Sequence, residues 1–409
     1  MGRVTAKSAG PMTRRHDIDT LRVIAFALLI VYHVGMVYVA GWDFHIKSPH
    51  QQAWLQWPMV AVNRWRMPLI FMLSGIALAL SLPGLRSAGG LGRVALQRSG
   101  RLLLPLVFGM VAIVPVQAYC EAVINGAVEP GFGSFLWRYL QFRPWPEGGF
   151  AGAAYGITWN HLWFLPYLWA YTLLLLAVLP ICRTRVGVRL AAGRLAPAGW
   201  PAAPLVLLPT AWFFASLYLL EPRFPESHAF EGDWYAHAKY LACFVLGYAL
   251  GGDPRFWARI DRMRWACLAI ATLSIALYML LRSVGAGLVA IDPADIPDWD
   301  WSMVSRWAHA LYLWSALLTI LAFGHRLLDR PWSWLPRANE AVYPWYILHQ
   351  SLIVPLAFMT IPLGLAGWLE AGVVLAGTVL GCFLIHEWLI RRTPLLRPLF
   401  GLPRAAVNR

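Results

Sequence analysis

Long apolar runs separated by short polar stretches organise the chain. Runs of about 20 apolar residues, enough to cross a bilayer core as a helix, fall near 20–41, 59–82, 102–120, 162–181, 203–220, 237–251, 265–283, 303–323, 341–363 and 367–390. The pattern predicts an all-α integral membrane protein of about ten transmembrane helices. The first run, "DIDTLRVIAFALLIVYHVG", has too long an apolar core for a signal peptide, and no small-x-small cleavage site follows. It is expected to be a retained helix. The longest gap between runs, 121–161, is too short for a soluble domain. A single polytopic domain is therefore expected over 1–409, with tails at 1–19 and 391–409 flanking a bundle at 20–390.

Composition agrees, with 59% hydrophobic and 13% charged residues. Charge placement orients the spans, because Lys and Arg near span ends favour the cytoplasmic side. With the N-terminus inside, 25 of the 34 basic residues fall on inner segments, but only 7 of the 20 acidic ones. Both termini are thus expected to be cytoplasmic. The net charge of +14 is spread over six short segments, which argues for membrane orientation and against a nucleic-acid partner. The cysteines, Cys120, Cys182, Cys243, Cys267 and Cys382, are odd in number and contain no C-x-x-C, which points to neither disulfides nor a metal site.

Ionisable residues inside spans are costly and mark candidate chemistry. Arg22 and His33 are eleven residues apart, so they share a helix face within about 20° and lie roughly 16 Å apart along the axis. Desolvation favours a neutral His33 able to accept a proton. Arg66 in "NRWRMPLIFMLSG" lies at a depth close to that of His33, which predicts a shared cavity; Arg64 is nearer the surface. Ser74 and Gly75 are expected to serve close packing, not nucleophilic chemistry. Arg98 and Arg101 in "RSGR" stand one helical turn apart, a fork suited to phosphates as well as ordinary positive-inside charge. His161 opens the fourth span at its outer end. His349 is nearer mid-membrane, where a structural role is one reading and its role stays open, while His386 and Glu387 are expected to pack or pair charges near the inner surface. His309 has no assigned role. No histidine spacing matches a metal motif.

Trp137, Trp145, Trp159 and Trp163 punctuate the 121–161 gap and the following span start. They suit either an interfacial aromatic belt or a stacking platform for a sugar ring. No internal repeat accompanies them, which weakens a transporter reading.

In order along the chain, Asp19-x-Leu21-Arg22 with His33, Arg98-x-x-Arg101, and "YILHQ" resemble the membrane acyltransferase-3 family. "RMPLIFMLSG", "NHLWFL", "AFGHRLLD" and "PLLRPLF" are similar to its glucan biosynthesis protein C type, which transfers succinyl groups to periplasmic glucans. The resemblance implies an O-acyltransferase in the bacterial inner membrane that uses cytoplasmic acyl-CoA, succinyl-CoA or acetyl-CoA, as donor substrate with no permanently bound cofactor. A periplasmic glucan or other surface glycan would be the acceptor partner. His33 would be catalytic, either as general base on the acceptor hydroxyl or through an acyl-His33 intermediate, and the depth of Arg66 and the outer position of His161 suit either residue to orient the acceptor or stabilise the oxyanion. Arg22, Arg98 and Arg101 would bind the donor's phosphates, Asp19 would hold Arg22, and His161 and Trp163 would face the acceptor. Many family members carry an added soluble periplasmic domain, and this chain, ending at Arg409, is expected to hold its acceptor by spans and loops. The competing expectation is a transporter or exporter of a glycan or lipid-linked sugar.

Overall fold

The computed structural model describes residues 14–87, 90–180, 201–288 and 301–404. The stretch "RLAAGRLAPAGWPAAP" at 189–204, whose low complexity reads as a linker, lies largely outside these residues, as do Cys182 and Asp292, Asp295, Asp298 and Asp300, which count among the outer acidic residues.

The main helices are α1 (His16–Tyr38), α2 (Gln56–Ser87), α3 (Gly90–Phe108), α4 (Val114–Ile124), α5 (Phe132–Tyr139), α6 (Phe164–Val178), α7 (Ala202–Leu219), α8 (Trp234–Gly251), α9 (Pro254–Gly285), α10 (Trp301–Leu328), α11 (Leu335–Thr360) and α12 (Gly367–Leu384). Among the described residues, nine segments are long and apolar enough to span a membrane. The remaining expected segment, 237–251, does form a helix, α8, but its first half carries Trp234, His237 and Lys239 and falls short in apolarity.

Protein, not lipid, accommodates α8. It runs along α2 at backbone contact: a Cβ on Gly75 would lie 2.0 Å from the Phe244 carbonyl oxygen, and one on Gly247 would lie 2.2 Å from that of Met72. Small residues permit this approach, and dispersion along it holds the pair. Ser74 follows the same logic, spending its hydroxyl on the Ile70 carbonyl at 2.8 Å. The outward faces of the other spans remain apolar, with Leu207, Leu208 and Trp212 on α7 and Leu273 and Leu280 on α9 exposed.

Two local features shape the region around α1. At its start, the buried Asp17 carboxylate bonds Arg15 at 2.6 Å and His325 at 3.0 Å, and Asp329 accepts the His16 N–H at 3.0 Å, tying α1 to the end of α10. At its other end, the Lys47 ammonium caps the helix by donating to the carbonyls of Met36, at 2.7 Å, and Val39. The returning loop lays Phe44 parallel to the His33 ring, centroids 6.3 Å apart.

Residues 125–158 fold as a cap with its own small core of Phe135, Tyr139, Trp145, Phe150 and Ala153. Trp145 is buried there under Arg138, whose guanidinium sits 4.3 Å from the ring centroid, so it is a core residue of the cap and not an open platform. Trp137 is exposed, and Trp159 donates its indole N–H to the His228 carbonyl at 3.1 Å.

Candidate active site

Three helical segments converge on one histidine cluster. α1 supplies His33, the 3-10 turn Asn160–Trp163 before α6 supplies His161, and α11 supplies His349. The His349 ring centroid lies 5.0 Å from that of His33 and 5.1 Å from that of His161. Backbone irregularity makes this possible. After Pro105, α3 widens into a π turn at Gly109–Ile113, and Gly109 leaves room for Leu162: a Cβ there would meet its side chain at 2.4 Å. The neighbouring Asn160 takes φ +45° and accepts from Gln350 at 2.7 Å, fixing the turn against α11.

Hydrogen bonds assign the protons. A carbonyl oxygen can only accept, so His349 Nδ1, 2.7 Å from the Tyr346 carbonyl, carries a hydrogen. In a neutral imidazole its Nε2 is then an acceptor, and it lies 3.0 Å from His33 Nδ1. His33 therefore holds its proton on Nδ1 and directs an unprotonated Nε2 away from His349. No described residue hydrogen-bonds that nitrogen, and it is not among the buried unpartnered atoms. His161 differs: Nε2 donates to the Ile347 carbonyl at 3.1 Å and Nδ1 accepts from Gln117 at 3.2 Å, consuming both nitrogens. Of the three rings, His33 is half-buried and His161 and His349 are buried.

Arg66, expected near His33 from its depth, is there. Its guanidinium carbon lies 3.5 Å above the ring of Tyr32, the neighbour of His33. The side chain is 7% exposed, and its Nε and Nη1 are buried without a hydrogen-bond partner. A cation–π contact returns about 2 kcal/mol when desolvated, less than the several kcal/mol needed to bury the charge. The position is suited to an incoming anionic or strongly dipolar group.

Toward the start of α1, Arg22 bonds Asp19 and Asn339, each at 3.2 Å. Asp19 also takes Arg14 at 2.8 Å, so it is engaged by cations at this end and stands far from His33 along α1. Arg98 donates to Ser81 at 3.3 Å, and Arg22, Arg98 and Arg101 lie close enough for their charges to repel one another. Among the described residues Asp19 is the one carboxylate paired with this group, through Arg22, and the excess of guanidiniums attracts phosphates. Glu387 bonds Arg337 at 2.6 Å and Arg391 at 2.9 Å, a charge-pairing role as expected for that position.

Trp163 is 9% exposed, and its ring face is covered by His228, stacked at 4.0 Å between centroids. No motif or spacing points to Gln117, Tyr32 or Asn339. A signal for His349 lies in the motif "YILHQ", but depth within a span leaves its role open. His309 is buried with its ring 5.4 Å from that of Tyr278, away from the cluster.

No curated protein and no solved structure matches the chain. The model of the acyltransferase-3 family, described as an acyltransferase domain, matches residues 15–387, from the start of α1 to the last turns of the bundle. That match takes in every residue of the histidine cluster, Arg66 and the guanidinium group, and the chain belongs to the acyltransferase-3 family.

Proposed function

We propose that this multi-pass membrane acyltransferase moves a succinyl or acetyl group from cytoplasmic acyl-CoA to a hydroxyl of a periplasmic or surface glycan, as the glucan biosynthesis protein C type does. In this reading both termini are cytoplasmic and the membrane is the bacterial inner one. The observation that carries it is the free Nε2 of His33, backed by His349 and sharing a helix face with Arg22 about 16 Å away. Arg22, Arg98 and Arg101 hold the donor's phosphates, and the long flexible arm of acyl-CoA reaches up to His33. Asp19 orients Arg22.

The acceptor hydroxyl gives its proton to His33 Nε2 as its oxygen attacks the thioester carbonyl. The carbon–sulfur bond then breaks, and the imidazolium returns the proton to the leaving thiolate. His349 stabilises the charge on His33 through Nδ1. Arg66 stabilises the oxyanion or, for a succinyl donor, the free carboxylate, and no resident cofactor is required. His161 is a positioning residue for His349, and Trp163 lies on the acceptor side.

The test uses purified protein in liposomes with labelled acyl-CoA. Thioester consumption that depends on added glycan and is lost in His33→Ala supports the reading. Glycan flux without acyl-CoA would instead identify a transporter.

A further inference from the structure

The connection between α7 and α8 folds inward beside the histidine cluster, and its polar groups have no part in the chemistry above. Its backbone is pinned throughout. Asp233 accepts the N–H groups of Ser227 at 3.1 Å and His228 at 3.0 Å, and the Tyr167 hydroxyl at 2.5 Å. Tyr167 in turn accepts the Phe230 N–H at 2.8 Å, and His237 donates to the Phe230 carbonyl at 2.7 Å. These bonds hold His228 at φ +58° and Phe230 at φ +71°, a left-handed conformation that side-chain-bearing residues adopt at a cost.

The His228 side chain is held far more loosely. It is 40% exposed and has one polar contact, Nε2 to Glu226 Oε1 at 2.9 Å. Its ring lies face to face with Trp163, tilted by only 22°. Glu226 Oε1 also accepts the Tyr240 hydroxyl, while Oε2 takes the Lys239 ammonium at 2.5 Å. A rotation of His228 about its side-chain bonds, with the backbone unmoved, would uncover an indole face and free a lone pair of a carboxylate oxygen. A flat apolar face beside a carboxylate and an ammonium is the set of groups that binds a pyranose, by stacking on its C–H face and hydrogen-bonding vicinal hydroxyls. Trp163 is two residues from His161, and Glu226 lies within electrostatic reach of Arg66, so the subsite adjoins the reaction centre.

We propose that Trp163, Glu226 and Lys239 form a subsite for an uncharged pyranose unit of the acceptor, and that the His228 side chain occupies it until the sugar displaces it. The proposal rests on the glycan-acceptor reading.

The test is titration calorimetry of cellotriose against the detergent-purified full chain without acyl donor, with thermal unfolding of each variant confirming the fold. His228→Ala removes only a half-exposed ring and is expected to tighten binding about fivefold, while Glu226→Gln and Trp163→Leu weaken it about tenfold or more. Unchanged or weaker binding in His228→Ala, full binding in Trp163→Leu, or no binding by either wild type or His228→Ala would overturn the proposal. If cellotriose binds as expected but is never acylated, the acyltransferase reading fails and the subsite stands. If glycans are acylated while none of the three variants alters cellotriose binding, the subsite alone fails.

Discussion

His349 Nε2 lies 3.0 Å from His33 Nδ1, and the Tyr346 carbonyl on the far side of His349 fixes the direction in which that hydrogen bond runs. The pair works as an orienting dyad: one imidazole sets the tautomer of the other and leaves it a single free basic nitrogen. His33→Ala is expected to lower acyl transfer by about 10²–10⁴-fold. His349→Leu is expected to reduce kcat more than KM, whereas His349→Gln, whose amide oxygen can still accept from Nδ1, retains more activity. Steady-state kinetics in proteoliposomes separates these outcomes, and equal activity in His349→Leu and wild type would remove the dyad from the mechanism.

Arg66 carries a buried charge with two unpartnered nitrogens. A charge-assisted hydrogen bond to a bound carboxylate contributes about 1.5–3 kcal/mol, so Arg66→Met should lower kcat/KM for a succinyl donor by about ten- to a hundredfold. Comparing succinyl-CoA with acetyl-CoA in wild type and variant shows which group it meets. A loss confined to the succinyl donor places the free carboxylate at Arg66, and an equal loss for both places the oxyanion there.

Arg98 and Arg101 stand at the opposite end of the path. Arg98→Ala and Arg101→Ala are expected to raise KM for acyl-CoA by about tenfold each, the effect of one lost charge-assisted contact, with little change in KM for the acceptor. The effect should shrink as salt rises, because these groups are less deeply placed than Arg66 and screening weakens their attraction for phosphate.

The contact of α2 with α8 tolerates no side chain at Gly75. Overpacking of this kind costs typically about 1–3 kcal/mol, and here the obstructing atom is a backbone carbonyl that no rotamer change can move. Gly75→Val is expected to lower Tm in detergent and to reduce the yield of folded protein. Gly84→Ala, where a Cβ meets nothing within 4 Å, serves as the control.

Glu226 lies between the spans, and its titration gives a pH test. Burial by itself raises its carboxyl, but the Lys239 charge and the His228 hydrogen bond outweigh burial and hold it well below the usual carboxylate range. A carboxyl lowered on folding stabilises the fold above its unfolded pKa, and that stability is lost as pH falls through the folded value. Glu226→Gln should therefore lower Tm at neutral pH, and the gap to wild type should persist down to about pH 4 and close only at lower pH. Tryptophan fluorescence melts over a pH series measure it, and a gap that closes near pH 5 would contradict this sign.

Much of the site was legible in one dimension. Helical periodicity placed Arg22 and His33 on one face of one helix, and span depth put Arg66 at the level of His33. Geometry within a helix follows from sequence spacing, so those relations needed no partner. The apolar runs likewise determined that the protein is an all-helical membrane bundle. The tertiary structure decided what lay between helices. His349 reaches His33 across 316 positions of sequence, Gln117 completes His161 from α4, and His228 covers the Trp163 face that the sequence left open. The fate of α8 was decided in the same way, by glycines on two helices meeting at backbone distance. In a membrane bundle the lipid-facing and protein-facing sides of a helix are both apolar. The amphipathic signal that tells a soluble helix which way to face is therefore weak, and only packing assigns each buried polar group its partner.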